Sequence, residues 1–164
     1  MSILKVDTIN EKTSGNGVQI AGHVLQVQQG VMTSRVQVTT TSVYTIGDGF
    51  TVNITPKSTS SKILVTPMLT SIHRASLLIH LYIYRDSTLV STLGWYQDNT
   101  AWAPLLMGGS FLDSPSTTSQ ITYSCKFQVE ATGGSAGPYI NYSNTSFGTQ
   151  NDSRSTITAM EIGQ

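Results

Sequence analysis

Apolar and polar residues alternate one for one from Gln120 to Ala131. Ile121, Tyr123, Cys125, Phe127, Val129 and Ala131 take one set of positions; Gln120, Thr122, Ser124, Lys126, Gln128 and Glu130 take the other. Successive side chains of a strand point to opposite faces, so this stretch predicts an antiparallel strand with one face in a core and one in water. Arg35 to Thr40 alternates in the same way, with Val36 and Val38 on one face. Phe50, Val52 and Ile54 against Thr51, Asn53 and Thr55 predict another strand, which Pro56 ends before the polar turn Lys57 to Ser61. Ile63 to Leu69 is apolar on both faces and holds Pro67, which suggests a sheet edge or a bulge.

Ala75 to Tyr84 is the most hydrophobic stretch. Leu77, Ile79, Leu81 and Ile83 form a core face, and Leu78, His80, Tyr82 and Tyr84 form the opposite one. That second face is too apolar for open water yet carries polar tips, the make-up of amphipathic aromatics at interfaces. An oligomer contact or a loop of the same chain would cover it. Arg85 to Thr88 reads as a hairpin turn into Leu89 to Thr92, and Trp95 to Trp102 as a loop. Leu105 to Leu112 reads as a strand with a bend or bulge at Gly108-Gly109, followed by a turn at Asp113-Ser114-Pro115. Gly133 to Gly137 is a loop tip, Asn141 to Ser153 a long polar loop, and Thr156 to Ile162 the closing strand. No window keeps a 3.6-residue apolar period, so little or no helix is expected. About eight strands in succession predict an all-β fold, an antiparallel β-sandwich or jelly roll.

Residues 1–30 differ from this. They are short extended pieces, Ile3 to Ile9, Val18 to Ile20 and His23 to Gln29, punctuated by Gly15, Gly17, Gly22 and Gly30. They hold too few apolar residues for a core of their own. The expectation is an extended attachment or trimer-intertwining segment over 1–30 and a sandwich head over 31–164.

The composition narrows the function. Charged residues make up 11% of the 164, with nine basic and nine acidic, against 21 Ser and 23 Thr. A nucleic-acid surface needs clustered Lys and Arg, so nucleic acid is not an expected partner. Low charge permits close self-association. Cys125 is the single cysteine, which excludes an intrachain disulfide framework and suits a small core residue. No apolar run approaches the ~18 residues of a spanning helix, so membrane insertion is not expected. The start Met1-Ser2-Ile3-Leu4-Lys5 lacks the charged and long apolar regions of a signal peptide, which points to synthesis in a cytoplasm.

Candidate chemistry is sparse. His23, His73 and His80 stand in different settings; His73 and His80, seven apart, would point to opposite faces of one strand and suit no shared metal ion. Asp98 and Asp113 are the acids near aromatics that a paired-carboxylate glycosidase would need, but Asp113 before Ser-Pro is more simply a turn residue. No phosphate loop, zinc spacing or nucleophile elbow is present, so no enzyme, cofactor or metal is expected. Four N-glycosylation sequons begin at Asn53, Asn141, Asn144 and Asn151 and read as chance in so Asn- and Ser/Thr-rich a chain. Trp95, Tyr96, Asp98, Asn99 and Trp102 lie together in sequence. Flat aromatic faces with a few placed polar groups are what a sugar-binding patch uses; the alternative is that the tryptophans plug the end of the sandwich.

The start Met1-Ser2-Ile3-Leu4-Lys5-Val6-Asp7-Thr8-Ile9, with the Gly-Asn-Gly turn after it, resembles the N-termini of tail-fibre-like and other structural proteins of marine tailed phages, especially those infecting cyanobacteria. Ile54-Thr55-Pro56 with Ser60 to Val65, Tyr84 to Thr88, Leu112 to Pro115 with Tyr123, and Ile157 to Ile162 resemble the β-rich C-terminal heads of that group. The resemblance implies a homotrimeric virion fibre, assembled in the host cytoplasm. Its N-terminal segment, with Ile3, Leu4, Val6 and Ile9, would attach to other virion proteins, and its head would contact a host surface receptor such as a glycan. It brings no catalytic residues with it. The N-terminal region is shorter than the shaft of a long fibre, so a tail fibre, a stubby capsid spike and an adaptor-bound accessory all stay open. The rivals are a capsid decoration or cement protein, a soluble carbohydrate-binding module and, remotely, a glycan-degrading enzyme.

Overall fold

A computed structural model describes Thr8, Asn10 and residues 22–39, 41–46, 50–73, 77–97, 103–130, 138–141 and 153–164. These residues form twelve strand segments: β1 (Val24–Met32), β2 (Val36–Gln37), β3 (Tyr44–Thr45), β4 (Thr51–Ile54), β5 (Lys62–His73), β6 (Leu77–Arg85), β7 (Thr88–Gln97), β8 (Ala103–Gly108), β9 (Phe111–Asp113), β10 (Ile121–Val129), β11 (Tyr139–Ile140) and β12 (Ser155–Ile162). Among the described residues there is no helix, and the fold is all-β and antiparallel.

Several segments are halves of one strand position. β12 and β11 share one edge of β5, while β9 and β8 share the other. β1 and β2 follow one another along β12 and β11, and β4 and β3 along β10. Counted this way the chain has eight positions. One sheet, built on β5, runs first-eighth-third-sixth; the other, built on β10, runs second-seventh-fourth-fifth. The first position pairs with the eighth, the second with the seventh, the third with the sixth and the fourth with the fifth. The chain is therefore one long antiparallel hairpin wrapped around a barrel-like core, which is a jelly roll.

The period-two pattern explains the core. In β10 Ile121, Tyr123, Cys125, Phe127 and Val129 are buried and the residues between them are not. Ile79, Leu81 and Ile83 of β6 meet Ile63, Val65 and Leu69 of β5 and Ile157 and Ala159 of β12 across the sandwich. At the β1 edge the two sheets close tightly. A Cβ on Gly30 would collide with the backbone carbonyl of Thr51 in β4, so only glycine lets the edges approach.

Five local expectations are corrected. β1 runs through residue 30 and pairs along β12, so the head begins by Val24 and not at 31. Pro67 lies in β5, central in its sheet. It sits opposite Gly109 in a register that β8 and β9 share without a bulge, and the ladder is simply interrupted there because proline has no N–H to donate. Trp95 and Tyr96 belong to β7, which continues past Gly94 because its pairing with β6 extends to Leu77. His73 ends β5 while His80 is in β6, so they lie in different sheets, not on one strand. Of the strand expected over Arg35 to Thr40, among the described residues Val36 and Gln37 pair with β11 and the Val38 N–H donates to the Pro138 carbonyl at 2.9 Å, while Arg35 and Thr39 stay outside the strand.

Two substitutions test this register by urea denaturation. Phe127→Ala is expected to cost about 3–5 kcal/mol and Lys126→Ala about 1 kcal/mol or less; equal losses would mean the strand faces are reversed. Gly30→Ala is expected to cost about 1–3 kcal/mol or more by overpacking the closed edge; an unchanged midpoint would show that the edge is open.

Candidate functional site

Of the sequence-predicted aromatic patch, Trp95 and Tyr96 are described, and they lie in a strand. Trp95 and Tyr96 pair with Ile79 and Leu78 at the end of β7, an outer strand of the β10 sheet. Asp98, Asn99 and Trp102 lie outside the described residues, as do Ile3, Leu4, Val6 and Ile9.

Leu78, His80, Tyr82 and Tyr84 do form one row, on the outer face of the β10 sheet, and all four are half-buried. Their neighbours on the same sheet supply much of that cover. His80 and Tyr82 stack with ring centres 6.0 Å apart. The Tyr82 hydroxyl donates to Gln128 Oε1 at 2.6 Å, and Gln128 Nε2 donates to the Thr41 carbonyl at 3.0 Å. Lys126 Nζ stands over the Tyr84 ring, 4.2 Å from its centre. This face is polar, aromatic and largely satisfied by its own groups.

The outer face of the β5 sheet is different, and the sequence reading missed it. Register places Val27, Met160, Leu64 and Leu112 in one row across β1, β12, β5 and β9. Val31 and Met68 flank Thr156 in a second row, and Leu106 lies beside Thr70 in β8. Val27 is 53% exposed, Leu112 47% and Leu106 60%. Ile162 adds to the same face beside Lys62. Between the apolar rows runs a polar one, in which Gln29 Nε2 donates to Thr158 Oγ1 at 3.0 Å. The signal was present in Ile63 to Leu69, apolar on both faces: one face fills the core and the other stays outside.

Three buried polar clusters hold the sheets in place. Asp113 of β9 reaches across the sandwich. Its carboxylate accepts two bonds from Arg85 Nη1, at 2.9 and 2.8 Å, one from the Tyr123 hydroxyl at 2.6 Å and one from the Ser114 N–H at 2.8 Å. The residue expected to serve only a turn is thus the ionic link between the sheets. Burial, reinforced by the bond to Asp113, pushes the Tyr123 phenol far above the ordinary tyrosine range. Glu161, fully buried in β12, accepts from Gln26 Nε2 and from the Lys57 N–H, each at 2.6 Å. Asn141, expected to open a polar loop, is buried with φ 53°. Its Nδ2 donates to the carbonyls of Met32 and Ser34, and its Oδ1 accepts from Ser155 Oγ. It fills the point where β1 gives way to β2 and β12 to β11, and its burial removes it as a glycan acceptor. Cys125 is buried as well, which pushes its thiol far above the usual range. Among the described residues no three of His, Cys, Asp and Glu gather at one place.

No protein-family profile and no curated protein matches the chain, so the resemblance to phage fibres has no counterpart at that level. Among solved structures the chain is similar to the globular domain of a zebrafish complement 1qA protein, with 12% identity over 83% of this chain and 95% of that one and a TM-score of 0.39. It is also similar to the VP2 subviral particle of infectious bursal disease virus, with 18% identity over 84% of this chain and 33% of that one and a TM-score of 0.46. The Gx strain of the same virus gives 16% identity over 98% of this chain and 42% of that one, with a TM-score of 0.44. The chain spans less than half the length of these viral chains. At such identities neither activity nor partner carries over, and the jelly-roll assignment rests on the strand order.

The Asp113 cluster makes a pH prediction. The folded value of Tyr123 lies above its unfolded value near 10, so its contribution is complete below about pH 10 and is lost as pH rises further. Tyr123→Phe is expected to cost about 1.5–3 kcal/mol at neutral pH and to flatten the fall in stability above about pH 10. Chemical denaturation at pH 7 and 11 checks this; parallel losses in both proteins would remove Tyr123 from the link.

Proposed function

We propose that this chain is a non-catalytic structural protein of a phage particle: the jelly-roll head of a short homotrimeric fibre or spike. The segment before β1 fastens it to other virion proteins, and the head meets the host surface. The observation that supports it most is the aliphatic outer face of the β5 sheet, with Val27, Leu106 and Leu112 about half exposed or more. Monomeric soluble proteins rarely leave such a contiguous face open, and larger ones mark interaction sites. A net charge of zero favours the same conclusion. The resemblance of the N-terminus and of the strand-turn segments to virion proteins supplies the particle.

Mass spectrometry of purified particles is expected to find the chain, in the copy number of a few trimers. Many tens of copies per particle would favour a capsid cement protein, and absence from particles would favour a free binding module. Removing residues 2–21 is expected to leave the head folded, with an unchanged melting temperature, but absent from particles. Retention of the shortened chain in particles would place attachment in the head.

The host-contacting surface proposed is the end of β7 with the residues after it. Trp95→Ala and Trp102→Ala are expected to weaken adsorption to host cells several-fold at nearly unchanged melting temperature, since multivalent display amplifies a weak single contact. A steep fall in melting temperature with each substitution would mean that the tryptophans are structural.

A further inference from the structure

We infer that the outer face of the β5 sheet is the surface through which three copies of this chain meet, with β5 of each copy facing the common axis. This rests on the oligomeric assembly proposed above and replaces the row Leu78, His80, Tyr82 and Tyr84 as its site.

The face has the composition and size of an interface. Its central row is aliphatic from edge to edge: Val27, Met160, Leu64 and Leu112. Gln29 Nε2 donates to Thr158 Oγ1, so part of the polar row is already paired when the face is buried. Charged residues described on or beside the face stand at its ends, Lys62 at one, and Arg154 with Arg35 over the Tyr139 ring at the other. An apolar centre with a charged rim is how interfaces are arranged. Four strand positions span about 19 Å and the twelve residues of β5 about 40 Å, or roughly 760 Å² in projection. In a trimer each chain shares this face between two neighbours, and the three faces together bury roughly 2,300 Å² in projection, against about 1,600 Å² in all for a standard two-partner interface.

The width is what admits three copies. Three faces of about 19 Å, set as the walls of a triangular prism, leave an inner radius of about 5.5 Å. Sheets packed face to face lie about 10 Å apart, so each sheet's side chains fill about 5 Å. Leu64, Met68 and Met160 from three copies would therefore fill the prism without a channel. At each corner the β1 edge of one copy meets the β9 edge of the next, which brings Val27 beside the neighbour's Leu112.

That corner contact is testable on the full chain. Val27→Cys combined with Leu112→Cys places two thiols at every corner, and buried Cys125 stays unreactive. Treatment with a short bismaleimide is expected to give a ladder on a denaturing gel that ends at three chains. Leu64→Lys with Met160→Lys is expected to weaken association at least about 100-fold by light scattering, with an unchanged strand signal by circular dichroism. A ladder ending at two chains would overturn the threefold arrangement. A wild-type trimer that gives no ladder, or that survives the lysine pair but dissociates with Tyr82→Ser, would overturn this face while leaving the oligomeric assembly intact. A wild-type monomer at micromolar concentration would overturn both.

Discussion

A strand sends alternate side chains to opposite sides, so two stacked sheets present four faces and can bury only two of them against each other. Every other feature of this chain follows from how it treats the remaining two. β5 sets the terms. It is central in its sheet, and it is apolar on both sides: Ile63, Val65 and Leu69 go into the core, while Leu64 and Met68 point away from it. The β10 sheet solves the same problem locally. Its outer residues alternate aromatic rings with Lys126 and Gln128, which bond or stack against those rings. One outer face is thus closed by its own side chains, and the other is left aliphatic.

The rims are closed by polar groups whose bonds are complete. Asp113 joins Arg85 and Tyr123 across the sandwich, Glu161 joins β1 to the turn after β4, and Asn141 joins four segments where two strand positions change hands. Apolar packing is tolerant of small slides, whereas directional bonds in a low dielectric are not. These clusters therefore fix the stacking that the core alone would leave loose. Ser61 is the exception among the described residues, a buried hydroxyl with no partner. It precedes β5 directly, in the turn that also carries the Glu161 contact at Lys57.

Much of the architecture was legible because burial follows the period of two. The faces of β10, β4 and β6 follow from their alternation, and the turn at Asp86-Ser87 from its polar residues, with Asp86 held at φ 51° by bonds to Thr122. What escaped was long-range. Pro67 suggests an edge when read alone, yet it is central because its gap falls opposite Gly109, forty-two residues away. Residues 24–30 look too polar for a core because β1 is an edge strand whose inward side is Gln26, Gln28 and Gly30. Trp95 and Tyr96 read as part of a loop from their neighbours in sequence, whereas pairing with Ile79 and Leu78 of β6 holds them in a strand. The aliphatic face was legible only in its β5 part, since its row draws one residue from each of four strands that are far apart in sequence.

Charge decides what an open aliphatic face does in solution. A strongly charged chain would hold copies apart and leave the face wet; this chain carries nine charges of each sign and no net repulsion. Association is then limited only by shape and by the polar groups that must be desolvated. On this face Gln29 donates to Thr158 within the polar row, and in the proposed assembly register between copies would be set by matching apolar rows to apolar rows. In that assembly a partner displaced by two residues along β5 would lay Thr66 and Thr158 against leucine and methionine, and the unmatched hydroxyls would oppose it. In the proposed assembly the same alternation that sorts the core from solvent within one chain would sort correct from incorrect pairing between copies.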